Sequence, residues 1–518
     1  MELINQLVDR RMEETPNKTY LFTKHEEITY KDLYQTVNRL AVSLKSFGVE
    51  KGDRVGLYLN NSPNFLYSWF ALNRLGAIMV PINTSLLSKE TLYILQDSQV
   101  KGIISEESAI PAIINPILSQ CSSIEFSINV GDKEFDGWHS ISNLLENDGV
   151  IDTVVLEETN LASILYTSGT TGNPKGVMCP TRYYYYLAKG FVDTLLLKEN
   201  DRLMTCLPLF HMNAQVITVT ASLLSGASVI LLEGFSASSF WKDVAHFKPT
   251  VFYYLGSILP ILMKLPVTEE EKMSTLRVAV GAQADASKLE QYETRWNLKM
   301  IELYGMTEGG GTINPLNARK PGSCGKAYSN HELRIVNEQD EFLPANTAGE
   351  IVFRGPSLTL GYWNNKEETD KAYRNGWMHS GDIGYMDEEG YLYFLDRKKD
   401  IIRRSGENIS PAEVEKVLMA HPSIVEAACI AVPDEIRNEE VKAYLVVKEG
   451  ELVRPEEIIE WCENNLAKFK IPKYIEFRSQ LPKTKTLKIQ KNILKQEKAD
   501  LRIGAWDSTL KRIYSKER

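Results

Sequence analysis

The stretch Tyr166-Thr167-Ser168-Gly169-Thr170-Thr171-Gly172-Asn173-Pro174-Lys175-Gly176 sets the terms on which the rest of the chain is read. It follows an apolar run at residues 161–165, a buried-strand signal, and gathers three glycines, four hydroxyl side chains and one lysine. Glycines let successive backbone N–H groups turn inward to form an anion-binding concavity, hydroxyls add donors, and Lys175 supplies a point charge. The stretch therefore reads as a phosphate loop. Its spacing is not the Walker pattern, which needs Gly-Lys followed by Ser or Thr, because Lys175 lies between Pro174 and Gly176. That removes the P-loop kinase and GTPase readings. A glycine-rich loop by itself is most often an ordinary surface turn, so the remainder of the chain has to agree.

With 518 residues the chain exceeds one ordinary hydrophobic core and implies two or more domains. A formal charge of −9 argues against nucleic acid as a partner. Cys121, Cys179, Cys206, Cys324, Cys429 and Cys462 show no metal or redox spacing and read as reduced thiols of a cytoplasmic protein. The start, Met-Glu-Leu-Ile-Asn-Gln, lacks the basic-then-apolar order of a signal peptide. No apolar run reaches the roughly 20 residues of a transmembrane segment.

In order, the pattern predicts a helix over 3–12, a hairpin over 20–30, a helix over 33–44 ending at Gly48, a strand at 54–59, a helix at 63–75 and a strand at 77–81. Alternation of this kind predicts an α/β fold with mostly parallel sheets. A second βα series begins at the phosphate loop, with its helix starting near Thr181. That helix carries Tyr183-Tyr184-Tyr185-Tyr186, of which helical periodicity can bury about half. Pro208 fixes the chain direction before Phe210-His211, and residues 251–256, Val-Phe-Tyr-Tyr-Leu-Gly, read as a buried strand running into a turn. Residues 349–363 are β-rich with Gly and Pro punctuation, the mark of a small barrel-like subdomain. A charge cluster, Asp396-Arg397-Lys398-Lys399-Asp400, then separates two apolar segments. Beyond Lys491 the tail is basic and helix-prone.

The phosphate loop resembles the signature loop of the adenylate-forming superfamily, which includes acyl-CoA synthetases, peptide-synthetase adenylation domains and firefly-type luciferases. Tyr304-Gly305-Met306-Thr307-Glu308-Gly309 resembles a second signature, and its chemistry is also direct: Tyr304 offers a ring face for adenine, Thr307 donates to a phosphate, and Glu308 can hold Mg²⁺ through oxygen. The resemblance implies that Thr167, Ser168, Gly169, Thr170, Thr171, Gly172 and Lys175 bind the phosphates of ATP. It also implies that His211 sits beside the acyl carboxylate and that Gly281, Ala282 and Gln283 wall the adenine, where small residues allow close backbone approach. Trp377-Met-His-Ser-Gly-Asp382 resembles the ribose element, with Asp382 accepting from neighbouring hydroxyls. Arg397 is implied near the nucleotide and Lys399 as the pivot of a hinge at 397–400, which separates an N-terminal adenylation domain at 1–396 from a small mobile α+β domain at 401–518. Ser405, Gly406 and Glu407 fit the element lining the pantetheine tunnel, in a basic form similar to the carnitine and crotonobetaine ligase branch. Residues 481–489 resemble the Pro-x-Thr-x-x-Gly-Lys loop and make Lys488 the catalytic lysine. Two positions depart from the pattern: Ser405 and Leu487 stand where glycines are usual. Glycines 309–311 either widen the acyl end of the site or form a flexible turn.

The implied activity is an acyl-CoA ligase using ATP, Mg²⁺ and CoA, with Lys488, His211, Thr307 and Glu308 as its catalytic groups; many members form homodimers. Tyr183–Tyr186 and Phe252–Tyr254 would bound either an apolar pocket for a short or medium fatty acid or an aromatic box for a carnitine-like quaternary ammonium. The alternatives are transfer of the acyl-adenylate to another acceptor and a catalytically weak nucleotide or acyl sensor, for which Leu487 is the one supporting feature.

Overall fold

A computed structural model describes residues 1–167, 174–256, 258–397, 400–404, 407–434, 437–484 and 489–514, without the side chains of 397, 403, 407 and 408. The early βα alternation forms as read: strand Arg54–Tyr58, helix Pro63–Leu75 and strand Ile78–Pro81, the two strands parallel. Proline opens that helix, where its missing N–H has no intrahelical acceptor to lose, and Gly76 ends it at φ 71°. Its residues from Phe65 to Leu75 are all buried, so this is a core helix rather than an amphipathic surface one. The hairpin and helix that precede it also form, as Thr19–Phe22 with Glu27–Thr29 and then Tyr30–Ser46. Thr29 and Asp32 close a reciprocal cap at the start of that helix, each side chain taking the other's backbone N–H at 3.1 Å.

Among the described residues one seven-stranded sheet runs through His139–Ser140, Phe126–Asn129, Gly102–Ser105, Arg54–Tyr58, Ile78–Pro81, Leu161–Thr167 and Lys175–Pro180. All its neighbours are parallel except the last pair. A nine-stranded sheet carries, in its interior, the parallel strands Lys299–Gly305, Val278–Ala282, Val251–Leu255, Arg202–Thr205, Ser228–Leu231 and Thr19–Phe22. Their nearly continuous apolar sequences follow from burial on both faces. One apolar cluster joins Val55 and Leu57 of the first sheet, Trp69 and Phe70 of the core helix, and Val229, Val251 and Val280 of the second sheet. Residues 332–397 contribute a further five-stranded sheet where the small β-rich section is expected.

By compactness the chain forms two units, Met1–Leu333 with Val352–Ser380, and Arg334–Ile351 with Gly381–Arg518. The second has its own core, including Ile402, Val414, Cys429, Val441, Leu445, Ile458 and Cys462. Its sheet is built on the antiparallel pair Ile424–Asp434 and Asn438–Val447, with helices Pro411–Met419 and Pro455–Asn465 supplying Val414 and Ile458 to that core. Among its described residues the helix-prone tail is helical only over Lys491–Gln496. Beyond Gly504, at φ 84°, strands Trp506–Asp507 and Arg512–Ile513 extend the sheet instead, because Trp506 packs on the apolar core. No helix among the described residues is long and apolar enough to cross a membrane.

Candidate functional site

In the first unit, four adjacent parallel strands of the nine-stranded sheet end at one edge, and each delivers a segment singled out by sequence. Arg202–Thr205 leads to His211, Val251–Leu255 to Gly256, Val278–Ala282 to Gln283, and Lys299–Gly305 to Glu308. The carboxyl ends of parallel strands are where open α/β sheets bind ligands. Gly281 stands in register with Tyr254 on one side and Glu302 on the other. A Cβ on Gly281 would lie 2.2 Å from the Tyr254 carbonyl, and one on Gly256 would lie 2.0 Å from the Gln283 carbonyl. These strand ends therefore interlock backbone to backbone. Gln283 itself holds φ 65°, a left-handed conformation that is costly for a residue with a Cβ and recurrent at binding sites.

The Tyr304 to Glu308 segment turns back through Gly309 into strand Gly311–Ile313, with Gly305 opposite Gly311. Gly309 has φ 101°, and a Cβ there would meet the Ser357 carbonyl at 2.2 Å; at Gly310 it would meet the Phe353 ring and at Gly311 the Tyr328 ring. The glycine run is thus a tight turn whose packing leaves no room for side chains. The Tyr304 ring stacks against Phe353 at 6.0 Å. Thr307 and Glu308 are half-buried.

Residues 168–173 of the phosphate loop, including Ser168, Gly169, Thr170, Thr171 and Gly172, lie outside the described residues. Their flanks are well defined. Thr167 and Lys175 face each other across an antiparallel pair, Leu161–Thr167 with Lys175–Pro180, so the loop closes a β-hairpin and the helix starts only at Thr181. The return strand is bridged in turn to residues 360–363: the Met178 N–H donates to the Gly361 carbonyl at 2.9 Å, and the Trp363 N–H to Gly176 at 2.7 Å. This clamp carries Tyr362 between the two signature segments. Its hydroxyl donates to Glu308 Oε1 at 2.8 Å, and Lys175 Nζ lies 5.3 Å from the centre of its ring. Lys175 pairs with Glu368. The backbone of Glu308 is held as well, its carbonyl accepting from the Thr359 N–H at 3.1 Å and the Tyr373 hydroxyl at 3.4 Å.

His211 is approached by a braced segment. Asn61 donates to the carbonyls of Leu207 and Leu232 and accepts from the Leu209 N–H at 2.8 Å. Gln215 donates to the Leu209 carbonyl at 2.7 Å and accepts from the Tyr184 hydroxyl at 2.9 Å. Although His211 as a residue is exposed, the protein packed around its imidazole lowers the pKa to about 4 by desolvation. Of the tyrosine run, Tyr183 and Tyr184 are buried and Tyr185 and Tyr186 half-buried, as helical periodicity requires. Tyr184 is bonded to Ser163 and Gln215, whereas the buried hydroxyls of Tyr183, Tyr253 and Tyr254 have no partner among the described residues. Burial raises the Tyr183 phenol well above its usual range, and the nearby charge of Glu308 adds to this.

In the second unit Asp382 is buried and stands opposite Arg397 in an antiparallel pair of strands. Asp396 accepts from Ser410 Oγ and the Ala412 N–H, both at 2.9 Å, and so caps helix Pro411–Met419. Asp400 binds Lys495 at 2.7 Å. Lys399, Ser405, Gly406 and Lys488 lie outside the described residues, as does the side chain of Glu407. Arg404, in the same basic stretch, is taken up by Glu440 at 2.6 Å and the Phe469 carbonyl at 2.7 Å.

Residues 8–363 match the family model described as AMP-binding enzyme, and residues 413–488 match that for the AMP-binding enzyme C-terminal domain. The chain belongs to the AMP-binding enzyme family. Among its relatives, a crotonobetaine/carnitine–CoA ligase of Salmonella heidelberg is 35% identical over 486 residues, 90% of this chain and 93% of that protein. The anthranilate CoA ligase AuaEII in complex with anthranoyl-AMP superposes with a TM-score of 0.90 at 29% identity, covering 96% of this chain and 97% of that one. ATP-bound MatB from Rhodopseudomonas palustris gives 0.89 at 28% identity, covering 95% and 98%.

In this AMP-binding enzyme the residues that tie the site together were the ones least visible in sequence. Tyr362, Thr359, Glu368 and Tyr373 act on partners far along the chain, and Asn61 braces a segment on another sheet. Gly361-Tyr362-Trp363 was available as a signal, since two aromatics directly after a glycine suggest a packed turn rather than a solvated one, and Gly361 indeed holds φ 102°.

Proposed function

We propose that this AMP-binding enzyme is an ATP-dependent acyl-CoA ligase, joining a carboxylic acid to ATP as an acyl-adenylate with release of pyrophosphate, then passing the acyl group to the thiol of CoA with release of AMP. The observation that carries the reading is the Tyr362 junction, which fixes the phosphate-loop lysine and Glu308 on one ring. A carboxylate is a poor electrophile at neutral pH, and adenylation gives it a leaving group. During attack on the α-phosphorus, negative charge builds on the phosphoryl oxygens, and fixed cations and donors lower the barrier by meeting it.

In this reading Thr167 to Gly172 and Lys175 hold the phosphate chain, Thr307 donates to it, and Lys488 neutralises the charge that develops during transfer. Tyr304, Gly281, Ala282 and Gln283 frame the adenine, while Asp382 and Arg397 serve the ribose and nucleotide. Glu308 would hold Mg²⁺, which when bound supplies Lewis-acid neutralisation of phosphate charge. The donor chemistry fits: Glu308 is a half-buried carboxylate, and Mg²⁺ is commonly held by one or two carboxylates plus substrate phosphates. His211, neutral at pH 7, can orient the acid without a positive charge that would blunt its attack. Rotation about Lys399, in a hinge at 397–400, then exchanges Lys488 for the Ser405 to Glu407 element and admits the thiol.

For the acid, the relationship to a crotonobetaine/carnitine–CoA ligase favours a small acid of that kind. The buried free thiols Cys121, Cys179, Cys206, Cys429 and Cys462 favour a reducing compartment such as the cytoplasm. Acid-dependent exchange of labelled pyrophosphate into ATP tests the chemistry. Lys488→Ala should abolish exchange while ATP binding persists; exchange at the wild-type rate would remove Lys488 from the reaction.

A further inference from the structure

Lys175 is already engaged by an anion of the protein itself. Glu368, on helix Lys366–Ala372, takes Lys175 Nζ with one carboxylate oxygen, while its other oxygen lies 3.2 Å from Lys371 Nζ. The Asn365 side chain accepts the Glu368 N–H at 3.1 Å and so fixes the start of the helix that presents it. Both partners of the Lys175–Glu368 pair are partly open, with side-chain exposures of 28% and 32%. An ion pair so placed is weak and open to exchange. Lys371 also has Glu367 at 2.7 Å, so Glu368 can give up one lysine without being left alone and without stripping the other of a partner. Behind the pair, the Tyr362 ring keeps the ammonium on the side of Glu308.

We propose that Glu368 sets ATP affinity as a displaceable counter-ion: it occupies Lys175 when no nucleotide is bound and yields it to the phosphate chain of ATP. This rests on the reading of residues 166–176 as the ATP phosphate loop. Displacement transfers no atoms; Lys175 exchanges a carboxylate oxygen for a phosphate oxygen, and Glu368 keeps Lys371. Because the triphosphate competes with the carboxylate for one ammonium, removing the carboxylate charge strengthens ATP binding. A merely structural ion pair would do the reverse, since its loss frees Lys175 to wander.

The experiment is calorimetric titration of the full chain with ATP in wild type, Glu368→Gln, Glu368→Asp, Lys175→Ala and the double variant Lys175→Ala/Glu368→Gln, with thermal unfolding to verify that each is folded. Glu368→Gln should tighten ATP about two- to fivefold, the range expected for a partly exposed ion pair. Glu368→Asp should remain close to wild type, and the gain should vanish in the Lys175→Ala background. Unchanged or weaker binding by Glu368→Gln overturns the proposal, as does a gain that survives without Lys175, which would be general charge repulsion. A wild-type chain that does not bind ATP would instead overturn the phosphate-loop reading and the proposal with it.

Discussion

Replacing Tyr362 by Phe isolates the bond on which the site depends. The substitution keeps the ring, and with it the Lys175 contact at 5.3 Å and the backbone bridge to Val177, and deletes only the hydroxyl that donates to Glu308 Oε1 at 2.8 Å. A hydrogen bond to a charged acceptor contributes about 1.5–3 kcal/mol. Tyr362 is only partly buried and the Glu308 backbone is separately held by Thr359 and Tyr373, which puts the expected loss at the lower end. At about 1.4 kcal/mol per factor of ten, pyrophosphate exchange should fall roughly tenfold in kcat/KM. The loss should be accompanied by a higher Mg²⁺ requirement, because Glu308 is the proposed ligand, and by a drop of no more than about 5 °C in the thermal midpoint. Exchange kinetics over a Mg²⁺ series measure both. Wild-type kcat/KM and wild-type Mg²⁺ dependence in a folded Tyr362→Phe protein would refute the idea that Tyr362 aims the Glu308 carboxylate.

Two further outcomes are expected. The His211 imidazole should titrate by NMR near pH 4 rather than 6.5; with the folded value depressed, its contribution to stability is complete above 6.5 and is lost as pH falls through 4, and a midpoint near 6.5 would contradict its desolvation. Asp382→Ala should weaken nucleotide binding while leaving acid specificity alone, and unchanged ATP affinity would remove Asp382 from the ribose.

Local chemistry made much of this legible. Glycines and hydroxyls beside a lysine pointed to a phosphate loop only in company with the segments that follow, and the βα alternation from Arg54 to Pro81 follows from burial periodicity. The return strand Lys175–Pro180 was hidden because Pro174, Gly176 and Pro180 read as breakers; Pro180 is tolerated at its last position, on the edge of the seven-stranded sheet. Glycines 309–311 were legible as a turn, but not as a fit against Ser357, Phe353 and Tyr328, which only folding brings near. The Lys175–Glu368 and Tyr362–Glu308 contacts span 193 and 54 residues, and no spacing rule reaches so far.

The most direct measurement is the product spectrum of the purified protein with Mg-ATP, CoA and a pool of acids containing crotonobetaine, carnitine, short and medium fatty acids and aryl acids. The expected result, by mass spectrometry, is one class of acyl-CoA together with stoichiometric AMP and pyrophosphate. ATP cleaved to ADP and phosphate, or a thioester formed without AMP, would contradict it.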